Sequence, residues 1–334
     1  MAELFERHNK ENSDADDEVV MQGSFQDLVN KGWSWAEFYD FVGDKVVWTA
    51  PDCSVVKRDP PPGHDYSVDV VCQSRDEKTM KLQVTGISQE ATCSTLNGLF
   101  QLCDKNSEET DLTFKCFATN PRTPLGTLQN MTSSTSNIKC LRFHFVDLDK
   151  DTTVMLLASG VSEVELRQCT VNGLDASLLA NQGPTKLTVS CSMPELEKFG
   201  SGLAENSTVK ELHLLLHFEP QGAALSNLAD GLGGNLGLER LSMSYLEIDD
   251  EGWVSLCQAL HQHPHMKTLE FGFTDKFVDT FRRLTPERRA ARSKAVLDLV
   301  QANSSIQDIF WPEFQQDESI MTEINDHLQR NRTV

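Results

Sequence analysis

Val161-Ser162-Glu163-Val164-Glu165-Leu166-Arg167-Gln168-Cys169 is the stretch that decides how the rest of the chain is read. Val164 and Leu166 stand two apart with charged residues between and beside them, the pattern of a strand with one buried face, because side chains alternate along an extended backbone. Val161 leads in three residues earlier. The same apolar-x-x-apolar-x-apolar unit recurs at Ile138, Leu141, Phe143; at Val209, Leu212, Leu214; at Leu238, Leu241, Met243; at Met266, Leu269, Phe271; and at Ile306, Ile309, Trp311. Pro184, Leu187, Val189 repeats it with the first position altered, and Leu112 with Phe114 and Leu82 with Val84 lack the leading residue. Measured between middle residues from Leu82 to Ile309, the steps are 30, 29, 23, 23, 25, 29, 28 and 40. A recurrence in that range marks a stacked repeat, since one strand and its connection cannot bury an apolar face alone.

Helical spacing fills the intervals, as in Val154, Met155, Leu157; Leu174, Leu178, Leu179; Leu196, Phe199, Leu203; Leu225, Leu228, Leu232; and Val254, Leu256, Leu260. Thr152, Asp175, Pro194 and Asp250 are read as helix starts, and Gly160, Gly183, Gly233 and Pro264 as stops. The predicted fold class is α/β, a solenoid with a parallel sheet on its concave side and helices on its convex side. Three regions are expected. Residues 1–22, with Glu11, Asp14, Asp16, Asp17 and Glu18, form a disordered acidic arm. Residues 23–75 form an N-terminal cap around Phe25, Trp33, Trp35, Phe38, Phe41 and Trp48, and residues 76–334 form the solenoid, closed by a helical cap from about 275.

These units resemble the leucine-rich-repeat family, in particular its ribonuclease-inhibitor-like group, over roughly residues 80 to 330. Val161, Val164, Leu166 and Cys169 match the family pattern L-x-x-L-x-L-x-x-N/C at every position. Other copies carry Val146, Ser192, His217, Leu246 or Thr274 at the last position, so a divergent horseshoe without most of the family's buried side-chain ladder is expected. The resemblance implies a protein-binding scaffold and no catalytic role.

Parity along the strands places the candidate contact residues on the concave face: Arg142 and His144; Glu163, Glu165 and Arg167; Lys186, Thr188 and Ser190; Glu211 and His213; Arg240 and Ser242; and Glu270. With strands about 4.8 Å apart, such a face is wide enough for a folded protein rather than a small metabolite. Arg142 with Glu165, Glu163 with Lys186, and His144 with Arg167 are expected side by side.

Charge and motifs narrow the function. Thirty Lys and Arg against fifty Asp and Glu leave a net charge of −20, which repels nucleic acid and anionic membrane and favours basic partners. The alternative reading uses the one basic concentration, Arg282, Arg283, Arg288, Arg289, Arg292 and Lys294, as an adaptor for nucleic acid or an acidic partner; its simpler reading is the solvated side of a capping helix. Nine cysteines without a CxxC pair suit buried thiols in a reducing compartment. A polar start and no apolar run of about 18 residues point to the cytoplasm, with the nucleus left open.

Several look-alikes fail on context. His261, His263 and His265 fall at a helix end and turn rather than in a metal cluster. Asp147, Asp149 and Asp151 begin like a calcium loop, but Thr152 and Ala158 stand where it needs glycine and glutamate, so helix capping is preferred. Gly231, Gly233, Gly234 and Gly237 follow a helix where a phosphate loop must precede one. With no nucleophile elbow or HExxH helix either, no enzyme activity, cofactor or metal is expected.

Overall fold

The structure is a computed structural model of the chain. It describes residues 20–22, 47–49, 54–55, 68–75, 79–86, 109–116, 124–125, 138–144, 146–181, 183–191, 193–216, 223–244, 250–272, 285–310 and 318–333. Two compact units divide between Cys169 and Thr170.

The first unit holds strands β1 (Val20–Gln22), β2 (Val47–Thr49), β3 (Ser54–Val55), β4 (Val68–Arg75), β5 (Thr79–Gly86), β6 (Glu109–Cys116), β7 (Pro124–Leu125), β8 (Ile138–His144) and β9 (Asp147–Leu148), helix α1 (Lys150–Ala158) and strand β10 (Glu163–Arg167). Its repeats align as the spacing predicts: Leu82 pairs with Leu112, Leu112 with Leu141 and Val164 with Leu141, all in parallel. In the N-terminal part β1 pairs with β2 in parallel, and β4 runs against β5 with Val70 opposite Val84. Residues 25–46 of the expected cap lie outside the described residues.

The second unit holds β11 (Thr170–Val171), α2 (Leu174–Leu179), β12 (Lys186–Cys191), α3 (Met193–Glu205), β13 (Glu211–Leu216), α4 (Ala223–Gly234), β14 (Arg240–Ser244), α5 (Asp250–Ala259), β15 (Thr268–Phe271), α6 (Pro286–Ala302), β16 (Asp308–Phe310) and α7 (Glu318–Asn331). Leu187, Leu212, Leu241, Leu269 and Ile309 stand in one row across five parallel strands. Backbone joins each repeat to the next in one way: the Thr185 carbonyl accepts from Lys210 N, that of Lys210 from Glu239 N, that of Glu239 from Lys267 N and that of Lys267 from Gln307 N. The Gln307 carbonyl accepts instead from the Arg332 guanidinium, which also pairs with Asp308.

Both units bury what the periodicity assigns to the core. Leu141, Phe143, Leu166, Leu187, Leu212, Leu214, Leu241, Met243, Leu269 and Phe271 are fully enclosed. In the second unit Leu196, Phe199, Leu203, Leu228, Leu232, Trp253 and Leu256 are buried on the helices, with the Trp253 and Phe271 rings 4.9 Å apart. Among the described residues no helix is long and apolar enough to cross a membrane.

Helix ends differ in detail from the sequence expectation. Asp149, one of the three aspartates read as helix-capping, caps α1, its carboxylate accepting from Thr152 N at 2.7 Å, so that Thr152 lies inside the helix. The α2 cap is Gly173 at φ 82°, with Asp175 inside the first turn. Gly233 lies within α4. Glycine in this region serves helix contact: a Cβ on Gly200 would sit 1.9 Å from Asn227 O, and one on Gly231 2.3 Å from Gly200 O. Two helices therefore touch through bare backbone, a separation no larger side chain permits.

A buried side-chain ladder stands at a position other than the one expected to lack it. In the second unit asparagines stand three residues before the first apolar position, at Asn206, Asn235 and Asn303, and again at Asn331; all four are buried. Asn235 Nδ2 donates to Leu203 O and Asn206 O, both at 2.6 Å, while its Oδ1 accepts from Gly237 N and Leu238 N. Asn206 Nδ2 donates to Leu178 O and its Oδ1 accepts from Val209 N; Asn303 Nδ2 donates to Leu260 O and His263 O; Asn331 Nδ2 donates to Asn303 O and Ile306 O. A carboxamide suits this place because one group both accepts and donates twice. On the other side of the strand unit, Cys169 does occupy the family position, its Sγ donating to Phe143 O at 3.3 Å.

Candidate protein-binding face

The strand residues between the core positions point away from the helices, and register sets their neighbours. In the first unit Glu165 lies opposite Arg142 and Arg167 opposite His144. Glu165 becomes a hub: Arg142 Nε is 3.7 Å from one oxygen, His144 Nε2 is 3.1 Å from the other, and Arg167 pairs with it along the same strand. Burial would raise the Glu165 carboxyl, but the His144 hydrogen bond and the charges of Arg167, His144 and Arg142 overcome it and hold the carboxyl below its usual range. His144 and Arg167 are thus joined through Glu165. Cys140, on the same alternation, is buried, as are Cys169 and Cys257. Burial, reinforced by Asp298, pushes the Cys257 thiol up to about 12.

In the second unit Lys186 lies opposite Glu211, Thr188 opposite His213, Glu211 opposite Arg240, His213 opposite Ser242 and Ser242 opposite Glu270. Arg240 and Glu270 pair diagonally across β14 and β15, and His213 Nε2 is 3.9 Å from Glu211. Burial, then the charge of Lys186, pushes the His213 imidazole below its ordinary value, with Arg240 adding to the effect and Glu270 and Glu211 opposing it. His213 Nε2 and Arg240 Nε are enclosed with no hydrogen-bond partner among the described residues. Thr188 and Ser190, expected as contact residues, are only 8% and 5% exposed. They lie in register with His213 and Leu215 one strand away. Glu163 and Lys186 belong to different units, and each is held within its own register.

The basic segment is partly used inside the fold. Arg292 is 3% exposed, donates through Nε to Asp250 at 2.8 Å, and lies 5.6 Å over the Trp253 ring. Trp253 Nε1 in turn donates to the Arg292 carbonyl at 3.2 Å. Arg288 grips both Asp250 oxygens, and its hydrogen bond, with that of Arg292, holds the Asp250 carboxyl low against a lesser effect of burial. Lys294 pairs with Asp298 one turn on. Arg282 and Arg283 lie outside the described residues. Sequence reading missed Asp250 as the organiser of this segment; its place before Trp253 gave no such signal, because the two partners are 38 and 42 residues away.

Of the other look-alikes, His263 is buried in the turn before β15, and no group of three or more metal-ligating side chains occurs among the described residues.

No family model and no curated protein matches the chain. Among solved structures, it is similar to leiomodin-1 actin-binding site 2, at 17% identity and a TM-score of 0.35, over 43% of this chain and 75% of that one. An overlap so loose carries no argument about fold or partner.

Proposed function

We propose that the chain is a divergent leucine-rich-repeat solenoid of the ribonuclease-inhibitor-like kind, curved as a horseshoe, that works without catalysis as a scaffold holding another protein on its sheet face. One observation carries this reading: across β12 to β15, Lys186, Glu211, His213, Arg240, Ser242 and Glu270 stand in register on the side opposite the helices. The compartment that fits is the cytoplasm or nucleus, and no cofactor or small-molecule substrate enters the reading. The adaptor reading for residues 282–294 is weaker, because Arg288 and Arg292 are spent on Asp250.

Affinity capture from native lysate tests the proposal. Bound proteins are expected to be lost with the combined change Lys186→Ala, His213→Ala and Arg240→Ala, and kept with Arg289→Glu and Lys294→Glu. The reverse pattern, with circular dichroism of both variants unchanged, overturns it in favour of the adaptor.

A further inference from the structure

Asn206, Asn235, Asn303 and Asn331 reach back to the preceding turn, but the rung between Asn235 and Asn303 is His263. His263 Nδ1 accepts from His265 N at 3.3 Å and Met266 N at 3.1 Å, so it copies the accepting half of the asparagine. Two amides aimed at Nδ1 leave the ring proton on Nε2. That Nε2 is enclosed and has no hydrogen-bond partner among the described residues. Where Asn235 binds Leu203 O and Asn206 O, His263 makes no side-chain bond to the turn before it, while Asn303 Nδ2 still holds Leu260 O and His263 O from the other side. The side-chain ladder is therefore interrupted at one place.

We propose that this interruption is an acid-sensitive seam: a second proton on His263 must go to Nδ1, where it displaces the His265 and Met266 amides and frees the turn that leads into β15. Among the described residues no carboxylate acts on the buried ring. His265 is the ionisable neighbour whose field reaches it, and it opposes protonation. Glu239 and Lys267, at the entries to β14 and β15, are paired with each other at 2.6 Å. Asn235 and Asn303, on either side, are neutral. Burial first, then His265, lowers the His263 value from 6.5 to about 4. Because the folded value lies below the unfolded one, the stability of this turn is complete above about pH 6.5 and is lost as the pH falls toward 4.

Hydrogen exchange of the full chain between pH 8 and pH 5, corrected for the intrinsic pH dependence of exchange, reads the seam directly. The opening constant for Met266 and residues 268–271 is expected to rise about tenfold to thirtyfold on acidification, and that for residues 211–216 to change little. His263→Asn, which restores the carboxamide, is expected to abolish the pH dependence. A second readout needs no variant: the His263 ring nitrogens should report an Nε2–H tautomer that does not titrate above about pH 5. Titration near pH 6.5 with the turn still protected, or pH dependence that persists in His263→Asn, overturns the proposal.

Discussion

The turn entering β10 and those entering β13 and β14 hold their strands with different chemistry. In the first unit the work is divided. Ser159 Oγ donates to Leu156 O of its own helix and accepts from Val161 N, Ser162 Oγ crosses to Lys139 O, and Cys169 Sγ crosses to Phe143 O. At the turns entering β13 and β14 one buried carboxamide does this work, as Asn235 shows with two bonds given to the previous repeat and two taken from its own turn. The spacing differs too: Ser159 precedes its apolar residue by two positions, Asn206 and Asn235 by three. A hydroxyl has one proton to give and a carboxamide two, so the extra residue lets one side chain serve two repeats. Concentrating bonds in this way makes each asparagine a larger single point of failure.

Asn235→Ala is the sharpest way to break that contrast. It strands four buried backbone groups and is expected to cost about 3–5 kcal/mol, read as a lower denaturant midpoint with hydrogen exchange accelerated over residues 203–244. Gly231→Ala tests whether helix contact contributes separately to the second unit. Its methyl would meet Gly200 backbone, and about 1–3 kcal/mol of destabilisation is expected, read as a lower denaturant midpoint. Ser159→Ala is the smallest, below about 1 kcal/mol, because Ser162 and Cys169 still join that repeat to its neighbour. Equal losses for Asn235→Ala and Ser159→Ala would remove the distinction between the two kinds of turn.

The strand register was legible in advance because apolar spacing and burial share one cause. Leu82, Leu112, Leu141 and Val164, and separately Leu187, Leu212, Leu241, Leu269 and Ile309, align as their periodicity dictates. The asparagine ladder was present in the sequence and missed. Attention to the position after the strand found Ser192, His217, Leu246 and Thr274, whereas the repeating carboxamide stands before it, in Asn206-x-x-Val209, Asn235-x-x-Leu238 and Asn303-x-x-Ile306. Spacing alone does not suffice even there. Asn181 precedes Pro184 by three but is exposed at φ 52° and accepts from Ser207 N instead. Parity put Thr188 and Ser190 in one alternation with His213 and Leu215 but said nothing of how far such short side chains reach, and both are nearly buried. The Asp250 contacts with Arg288 and Arg292 join helices distant in sequence, a pairing that no local pattern encodes.

Arg332 gives the last strand of the second unit a property of its own. An unclaimed strand margin is adhesive, inviting any extended chain to lengthen the sheet. Here such a newcomer would first have to evict a cation that grips a carbonyl and a carboxylate together. One long side chain thereby does as a latch what a further layer of protein would do by bulk.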